Sequence, residues 1–541
     1  MAKDFPDQIA AAIPYLQKNT TDARANSTVI KWCASIGLGL MAAALTGCRE
    51  ERPEHPNILF IMSDDHAYQA ISAYGHGLNQ TPNIDRIGAA GMRFDRAFCT
   101  NSISAPSRAV ILTGKFSHLN GLRDNSDRFD GSQMTLPKML KPAGYQSAVI
   151  GKWHLKTDPT GFDFWRILID QGPYYNPDMK DSTGIHHYEG YTTAIIGDQA
   201  IEWLEKRDPG KPFFLMVHNK APHRHWCPEP KYFGKFENTV FPVPDNYFDD
   251  YNTRGTAARE QEMSVIRDMT LHYDLKIYPR PGDSLKGPDR YWDSEIRRMD
   301  PQQQKAWEKY YKPLSDEFYA ARLTGDDLAR WKLQRYLEDY LAVIQSVDDQ
   351  VGRLLDYLKE HRLEKNTLVV YTSDQGFYLG EHGWFDKRFM YEESFRTPLL
   401  MRLPGVIKPG KVSRALVQNL DFAPTFLELA GLPVPDSLQG ISLLGPEKKK
   451  SLYYHYYEYP DAHAVRPHYG VRTCRYKLIR FYGDLDEWEL YDLKKDPTEM
   501  KNVIDDPSYS RVVLKMRREL ERLRTYYKDE RPEKEDLRPE T

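Results

Sequence analysis

From residue 57 the chain reads Asn57-Ile58-Leu59-Phe60-Ile61-Met62-Ser63-Asp64-Asp65, a continuous apolar run that ends in polar residues. Uninterrupted hydrophobicity is typical of a strand that is covered on both faces, as in a parallel sheet. The same pattern returns at residues 367–375, which read Thr-Leu-Val-Val-Tyr-Thr-Ser-Asp-Gln. Between residues 336 and 358, just before this second run, apolar residues recur at helical spacing. A helix followed by a strand, repeated, predicts an α/β fold with a mostly parallel central sheet flanked by helices.

Oxygen-bearing side chains follow both of these predicted strands. Asp64 and Asp65 follow the first strand, and Asp374 and Gln375 follow the second. In open α/β sheets, ligands bind beyond the carboxyl ends of the strands. Carboxylate and amide oxygens suit the hard cations Ca²⁺ and Mg²⁺. The alternative is that each pair only caps a turn or is solvated.

The remaining sequence patterns predict that the chain is divided into three parts. Further buried strands are expected at residues 146–150, 212–217 and 398–402, whereas residues 227–330 are charged, Pro-punctuated and poorly periodic, which is typical of a long excursion from the core. A Lys-rich turn at residues 448–450 marks a boundary. We therefore expect a leader over residues 1–48, a catalytic domain over 49–445 and a smaller C-terminal α+β subdomain over 446–541. That subdomain should contain short strands at 476–481 and 488–492, and a helix near 508–527.

Composition excludes several classes of protein. The 541 residues are 40% hydrophobic and 12% aromatic, which excludes a disordered chain. Lys and Arg number 74 against 77 Asp and Glu, so the chain lacks the excess of basic residues that would indicate a nucleic-acid partner. The 5 cysteines are widely spaced and form neither a disulfide framework nor a C-x-x-C pair.

The N-terminal region carries an export signal. An apolar run at residues 32–45 is too short to span a bilayer but suits the apolar part of a secretory signal. It leads into Leu45-Thr46-Gly47-Cys48, which resembles the bacterial lipobox, where the cysteine is lipidated. This predicts an exported protein, periplasmic or at the cell surface, which contacts the membrane only through a lipid anchor on Cys48. The alternative is a short buried helix.

The most specific motif is Ser104-Ala105-Pro106-Ser107-Arg108, followed by Leu112-Thr113-Gly114. With it, residues 57–432 resemble the type I sulfatases of the alkaline phosphatase superfamily, whose maturation signature is Cys/Ser-x-Pro-x-Arg with Leu-Thr-Gly three residues later. Six fixed positions make a chance match at a given site of order 10⁻⁷ to 10⁻⁸. The alternative, a Ser/Pro loop that caps a helix, leaves Arg108 and Leu-Thr-Gly unexplained.

The resemblance implies that Ser104 is oxidised to formylglycine (3-oxoalanine) by a separate, oxygen-independent maturation enzyme. One hydroxyl of the hydrated aldehyde then attacks sulfur and expels the alcohol, and collapse of the resulting sulfo-enzyme releases sulfate. The resemblance also implies a Ca²⁺ site, with Mg²⁺ as the alternative. Its ligands would be Asp64, Asp65, Ser104, Asp374 and Gln375, and the family commonly has Asn where this chain has Gln375.

Further motifs match the family's catalytic residues. Gly151-Lys152-Trp153-His154 implies that Lys152 holds a sulfate oxygen and that His154 orients or deprotonates the diol, which Arg108 also holds. Ala221-Pro222-His223 resembles the general-acid segment, so we expect His223 to protonate the leaving group, with His218 and His225 as alternatives. Lys387 aligns with a lysine that touches the sulfate.

The segment around Lys387 favours a sugar substrate. Asp386-Lys387-Arg388-x-x-Tyr391-Glu392 looks like glucosamine-6-sulfatases, in which an Asp/Arg pair can bind adjacent sugar hydroxyls. An ordinary exposed ion pair between Asp386 and Arg388 is the alternative. We therefore predict hydrolysis of sulfate esters on carbohydrate, with 6-O-sulfated N-acetylglucosamine of glycosaminoglycans or host glycans as the substrate. Phosphate or phosphonate ester hydrolysis and a non-catalytic glycan-binding lipoprotein are the alternatives.

Overall fold

The computed structural model describes residues 55–537. The predicted leader and Cys48 lie outside the described residues. The described residues belong to one compact unit. Among the described residues, the helices are too short or too polar to cross a membrane.

The described residues form a central α/β layer and a C-terminal sheet. The strands are β1 Asn57–Ser63, β2 Met92–Phe94, β3 Ala97–Phe98, β4 Gln146–Lys152, β5 Phe164–Leu168, β6 Asp178–Asp181, β7 Gly184–His187, β8 Phe213–His218, β9 Thr367–Ser373, β10 Arg396–Thr397, β11 Leu399–Arg402, β12 Lys411–Ser413, β13 Val417–Gln418, β14 Ser451–Tyr456, β15 His468–Thr473, β16 Tyr476–Phe481 and β17 Glu487–Asp492. The helices are α1 Pro82–Ala89, α2 Ser104–Thr113, α3 Ser117–Asn120, α4 Leu136–Leu140, α5 Thr192–Lys206, α6 Thr256–Glu260, α7 Pro301–Ala321, α8 Gly325–Glu360, α9 Glu392–Phe395, α10 Phe422–Leu429 and α11 Ser510–Tyr527.

The central sheet has ten strands in the order β12-β2-β11-β9-β1-β8-β4-β5-β6-β7. Its middle, from β9 to β5, is entirely parallel. Ser63 pairs with Ser373, and His218 pairs with both Met62 and Gly151, so four parallel strands end at one level. Because functional side chains follow these strands, the register alone brings them to a single edge of the sheet.

Both faces of this sheet are covered. Along β1, Leu59 and Ile61 point into the cluster formed with α1, α5 and α8, whereas Ile58, Phe60 and Met62 point into the cluster formed with α2, α4 and α10. All seven residues of β1 are buried, as a continuous apolar run predicts. The predicted α/β class, with its mostly parallel central sheet, is confirmed.

The C-terminal sheet is antiparallel, in the order β14-β15-β16-β17. Its strands alternate between two faces: Tyr453 and Leu478 pack with α11, whereas Tyr454 and Ile479 pack into the core. This confirms the smaller C-terminal α+β part of the fold. The exact domain boundaries at 48 and 445 stay predictions.

The predicted excursion over 227–330 contains more helix than the sequence pattern indicates. Helix α7 has 21 residues, of which only Trp307, Tyr311 and Ser315 are buried. Its start is specified by a capping box between Asp300 and Gln303, with Pro301 in the first turn. The narrow buried face explains why apolar periodicity did not reveal this helix.

Candidate active site

The oxygen-bearing residues predicted to bind a metal meet at the ends of β1 and β9. Asp64, Asp65, Asp374 and Gln375 are all fully buried. The backbone N–H of Asp65 and that of Gln375 donate to Asp374 Oδ1 at 3.2 and 3.1 Å. The Gln375 amide nitrogen donates to Asp65 Oδ1. Asp65 has a φ of 65°, a left-handed conformation that ordinary residues adopt mainly at turns and functional sites.

Ser104 lies directly against this cluster. It is the first residue of α2, and its hydroxyl donates to Asp64 Oδ1 at 2.9 Å. The Gln375 amide nitrogen lies 3.4 Å from Ser104 Oγ. All ten residues of α2 are buried. The nucleophile position therefore lies at a buried helix N-terminus, where the macrodipole favours negative charge.

Three basic side chains surround the acidic residues. Arg108, one turn after Ser104 on α2, donates to Asp374 Oδ2 through Nε at 3.1 Å and through Nη2 at 2.9 Å, and to the Lys152 carbonyl at 2.8 Å. Lys152, at the end of β4, donates to Asp64 Oδ2. Lys387 donates to Asp65 Oδ2 at 2.7 Å. Each of the three carboxylates thus contacts one of three basic side chains.

The acidic cluster fits a divalent cation. Burial raises the pKa of Asp65 to about 6, against the opposing effect of Lys387, because a site without water disfavours the charged carboxylate. Gln375 Oε1 is buried without a hydrogen-bond partner, and exchanging the two ends of this amide would turn that oxygen towards the carboxylates. Ligand atoms of Asp64, Asp65 and His223 also lie within 4.8 Å of one another. Hard oxygen donors of this kind select Ca²⁺ or Mg²⁺.

The structure separates the three candidates for the general acid. His223 Nε2 lies 3.7 Å from Asp65 Oδ2, and its Nδ1 contacts the Arg224 carbonyl at 2.6 Å. His218 is buried at the end of β8, with its Nδ1 on the Lys152 carbonyl at 3.1 Å. His225 instead packs on Tyr273, 4.0 Å from Glu295. The placement favours His223, which is half-buried and faces the acidic cluster.

His154 is joined to Lys152 by a residue that carries no sequence signal. Gln171 accepts from the Lys152 ammonium and lies 3.0 Å from His154 Nε2 through its amide nitrogen. Burial, with the nearby cations Lys152 and Arg108, holds the pKa of His154 well below its usual value. The imidazole is therefore neutral, and its buried Nδ1 has no protein partner.

Asp386 and Arg388 form a buried pair rather than an exposed one. Arg388 Nε lies 3.3 Å from Asp386 Oδ1, and both residues have positive φ angles, 73° and 93°. Neither is more than 6% exposed, which excludes the ordinary surface pair. Sequence reasoning missed their partners: Glu458 contacts Arg388, and His463 Nε2 lies 3.3 Å from Asp386 Oδ2.

Those partners come from the C-terminal subdomain. Tyr456 OH accepts from Arg388 at 3.3 Å, and Tyr454 OH donates to the Arg388 carbonyl at 2.6 Å. The core-facing side of the C-terminal sheet therefore forms one wall beside the pair. His455 and His468 are buried within the sheet, where His455 contacts Asp529 and His468 accepts from the Met390 N–H.

Comparison with known proteins gives consistent matches over nearly the whole described chain. The sulfatase family profile matches residues 56–432, and the profile of the C-terminal part of N-sulphoglucosamine sulphohydrolase matches residues 380–526. An N-acetylglucosamine-6-O-sulfatase of Bacteroides thetaiotaomicron is 50% identical over 515 residues, which cover 92% of each chain. The human N-acetylglucosamine-6-sulfatase is 27% identical over 72% of this chain and 64% of its own.

Solved structures agree with these matches. One protein, solved in complex with its substrate D-glucosamine-2-N,6-O-disulfate, superimposes with a TM-score of 0.86 at 50% identity, over 88% of this chain and 99% of that one. A phosphonate monoester hydrolase of Agrobacterium radiobacter superimposes with a TM-score of 0.64 at 21% identity, over 87% and 96% of the two chains. The second likeness shows the shared fold alone.

Proposed function

Since the chain belongs to the sulfatase family and is therefore a sulfuric ester hydrolase, we propose that it removes the 6-O-sulfate of N-acetylglucosamine in glycosaminoglycans or host glycans. One observation carries the proposal: Ser104, inside the family signature, lies 2.9 Å from Asp64 and within a ring formed by Arg108, Lys152 and Lys387. The relative that shares half of this sequence supports the choice of sugar.

The proposed reaction needs two groups that the unmodified polypeptide lacks, a modified nucleophile and a bound metal ion. Formylglycine at Ser104 would offer a geminal diol as nucleophile, and a divalent cation on Asp64, Asp65, Ser104, Asp374 and Gln375 would polarise the sulfate. We propose Ca²⁺ for this site, with Mg²⁺ as the alternative, because all the donors are hard oxygens. The charge of either ion suits the reaction: since each of the three carboxylates already contacts a basic side chain, a divalent cation would add positive charge that attracts a sulfate ester.

The chain's own cations then bind the anionic part of the substrate. Lys152 and Lys387 each touch one of the paired aspartates, so both ammonium groups lie at the acidic cluster. Arg108 fixes Asp374 through two of its nitrogens and leaves little freedom for either group. Fixed cations in a site without bulk water stabilise charge that develops in the transition state.

His223 and His154 are the two histidines that we assign to the reaction. His223 is the imidazole nearest to Asp65, and we assign to it the proton that the leaving O6 alkoxide requires. Burial, together with Lys152, Lys387 and Lys220, holds the pKa of His223 well below its usual value, and the negative charge of a bound sulfate ester opposes that shift. His154, held neutral, accepts the Gln171 amide N–H at Nε2, so its Nδ1 carries the ring proton and would orient the diol by donating to it.

Substrate recognition is assigned to Asp386 and Arg388. A carboxylate and a guanidinium side by side present an acceptor and several donors, which matches two adjacent sugar hydroxyls. Glu458 and His463 hold this pair from the C-terminal side. The pair therefore provides specificity at a fixed position, while the sulfate is bound by other residues.

The cellular context is also part of the proposal. We infer that the protein is exported and lipid-anchored through Cys48, and that a separate formylglycine-generating enzyme converts Ser104. Changing Cys48→Ala should release the protein from membranes. Mass spectrometry of the Ser104 peptide from the native host should find it two hydrogens lighter than serine. An unconverted serine would leave only a glycan-binding role.

A panel of defined substrates tests the function. Mature enzyme with Ca²⁺ should release sulfate from N-acetylglucosamine-6-sulfate and from glucosamine-6-sulfate, but not from the 3-O-sulfated isomers. Ser104→Ala should abolish turnover and still bind the sulfated sugar, with the exposed substitution Ser132→Ala as the control. Faster turnover of aryl phosphates than of aryl sulfates would instead favour phosphate ester hydrolysis, and no sulfate release from any ester would refute the proposal.

A further inference from the structure

A surface groove of about 830 Å³ lies between helix α11, the start of β14 and the β15–β16 turn. Its lining is strongly basic. The charged residues in it are Lys450, Arg475, Arg511, Lys515, Arg518, Glu519 and Arg522. Six cations face one carboxylate there, although the whole chain has a net charge of -3. We call this feature the basic groove.

The sequence of α11 explains why the cations share one surface. Arg511, Lys515, Arg518 and Arg522 follow one another at intervals of four, three and four residues, which places them on one face of a helix. The apolar residues Met516, Leu520 and Leu523 lie on the face that packs against the C-terminal sheet. Burial of that face necessarily turns the basic stripe outward.

Most of these cations have no anionic partner in the part of the chain that the structure describes. Arg522 pairs with Glu519 at 2.8 Å, and Arg475 pairs with Asp492 at 2.8 Å. Within residues 55–537, no ion pair satisfies Lys450, Arg511, Lys515 or Arg518. Like charges on adjacent turns repel one another, so an external polyanion that spans the stripe would stabilise it.

The basic groove is separate from the active site. Tyr453 and Leu478 on the α11 side of the C-terminal sheet pack with the helix, whereas Tyr454 and Tyr456 on the other side contact Arg388. The sheet therefore stands between the groove and the sugar-binding pair. A ligand in the groove does not compete for the catalytic residues.

We propose that the basic groove is a second, non-catalytic binding site for a sulfated polysaccharide chain. The stripe from Arg511 to Arg522 covers twelve residues of helix and is about 16 Å long, which suits an extended polymer with repeated anionic groups. Leu514, 58% exposed in the same groove, offers an apolar surface for a sugar ring. A concave site of this shape fits a single chain better than the flat surface of a membrane. The inference rests on the proposed function in one respect, the choice of a sulfated polysaccharide as the polyanion.

Such a site would hold the enzyme on its substrate polymer. Once the groove has bound one polysaccharide chain, the effective concentration of neighbouring chain ends near the active site is higher. The expected consequence is faster turnover on long chains than on the isolated monosaccharide at equal concentrations of cleavable ends. Small substrates should be unaffected by the groove.

The test compares two triple variants of the full-length protein. Arg511→Gln/Lys515→Gln/Arg518→Gln removes three of the four unpaired cations of the groove. Lys359→Gln/Lys365→Gln/Lys408→Gln removes three exposed lysines that have no ion pair, from elsewhere on the surface. Binding to an immobilised heparin decasaccharide, and to phosphatidylserine vesicles, is measured over a range of salt concentrations. Turnover of N-acetylglucosamine-6-sulfate is measured in parallel.

The groove variant should bind the decasaccharide about tenfold or more weakly, with a shallower salt dependence, whereas the control variant should lose less than about twofold. Turnover of the monosaccharide should be unchanged in both. Equal losses in the two variants, or full binding by the groove variant, would overturn the proposal. Loss of vesicle binding alone would also overturn it and assign the groove to a membrane. If the wild-type protein binds heparin through the groove but hydrolyses no 6-sulfate, only the proposed function fails.

Discussion

His223 owes its assignment to its distance from the acidic cluster rather than to its sequence motif alone. Three histidines lie within eight residues, and the sequence could not rank them with certainty. His223 faces Asp65 at 3.7 Å, whereas His225 turns towards Tyr273 and Glu295. His225 is turned away by a contact with Tyr273, which lies 48 residues further along the chain, and local spacing does not encode such a contact.

This assignment predicts a leaving-group effect. His223→Ala should lower kcat/KM for N-acetylglucosamine-6-sulfate by about 10²- to 10⁴-fold, because the O6 alkoxide leaves without a proton. With 4-nitrophenyl sulfate, whose leaving group needs no proton, the loss should be less than about tenfold. Steady-state kinetics on both substrates provide the measurement, with His225→Asn as the comparison variant. Equal losses on the two substrates would exclude His223 as the acid.

The metal site predicts a second effect at the residue scale. Removal of divalent ions with a chelator should abolish turnover and lower the thermal unfolding midpoint, since ions that bind only the folded state stabilise it. At free Ca²⁺ one hundred times its Kd the gain is about 2.7 kcal/mol. Asp374→Asn should remove this response, whereas Asp436→Asn, at an exposed position, should keep it. A thermal unfolding midpoint of the wild-type protein that does not change with Ca²⁺ would argue against the site.

At the scale of elements, Gly151 shows how closely two catalytic strands approach. Its φ is +104°, and a Cβ there would lie 2.0 Å from the His218 carbonyl oxygen. Gly151→Ala should therefore destabilise the protein by about 3 kcal/mol or more and displace Lys152, the next residue. Gly144→Ala is the matched control, because it has a φ of +79° with no atom within 4 Å and should cost only about 1 kcal/mol. Urea unfolding measures both, and similar costs would contradict the close-contact argument.

The same elements explain what could be predicted from the sequence. Strands β1, β4, β8, β9 and β11 were predictable because a strand buried on both faces is apolar throughout. The motif residues follow these strands directly, so their meeting at one edge follows from parallel register. Helix α7 was missed because only three of its residues are buried, although the capping box at Asp300 was a usable signal.

At the scale of the molecule, the sequence could not place the second wall of the site. Glu458 and His463 reach Arg388 and Asp386 across about 70 residues of chain, through a sheet whose docking depends on its whole apolar face. No local motif records such a contact. The specificity of the enzyme is therefore expected to depend on how firmly the C-terminal subdomain is held.

Asp529 is one of the residues that hold it, and it gives a pH-dependent prediction. Its Oδ2 lies 2.7 Å from His455 Nδ1 in the C-terminal sheet and 3.5 Å from His118 Nδ1 in α3, so it joins the end of α11 to both. Burial opposes the charge, but His455, hydrogen bonding and His118 hold the pKa of Asp529 well below 3.8. Because the folded pKa lies below the unfolded one, this stabilisation is full above about pH 4 and is lost as the pH falls further.

Asp529→Asn should thus cost about 2 kcal/mol at pH 7, and the difference from wild type should shrink below pH 4. Urea midpoints at pH 7, 5 and 3.5 measure this, with exposed Asp505→Asn as the control that changes less than about 0.5 kcal/mol. A cost that stays constant with pH would show that Asp529 acts through packing and not through its charge.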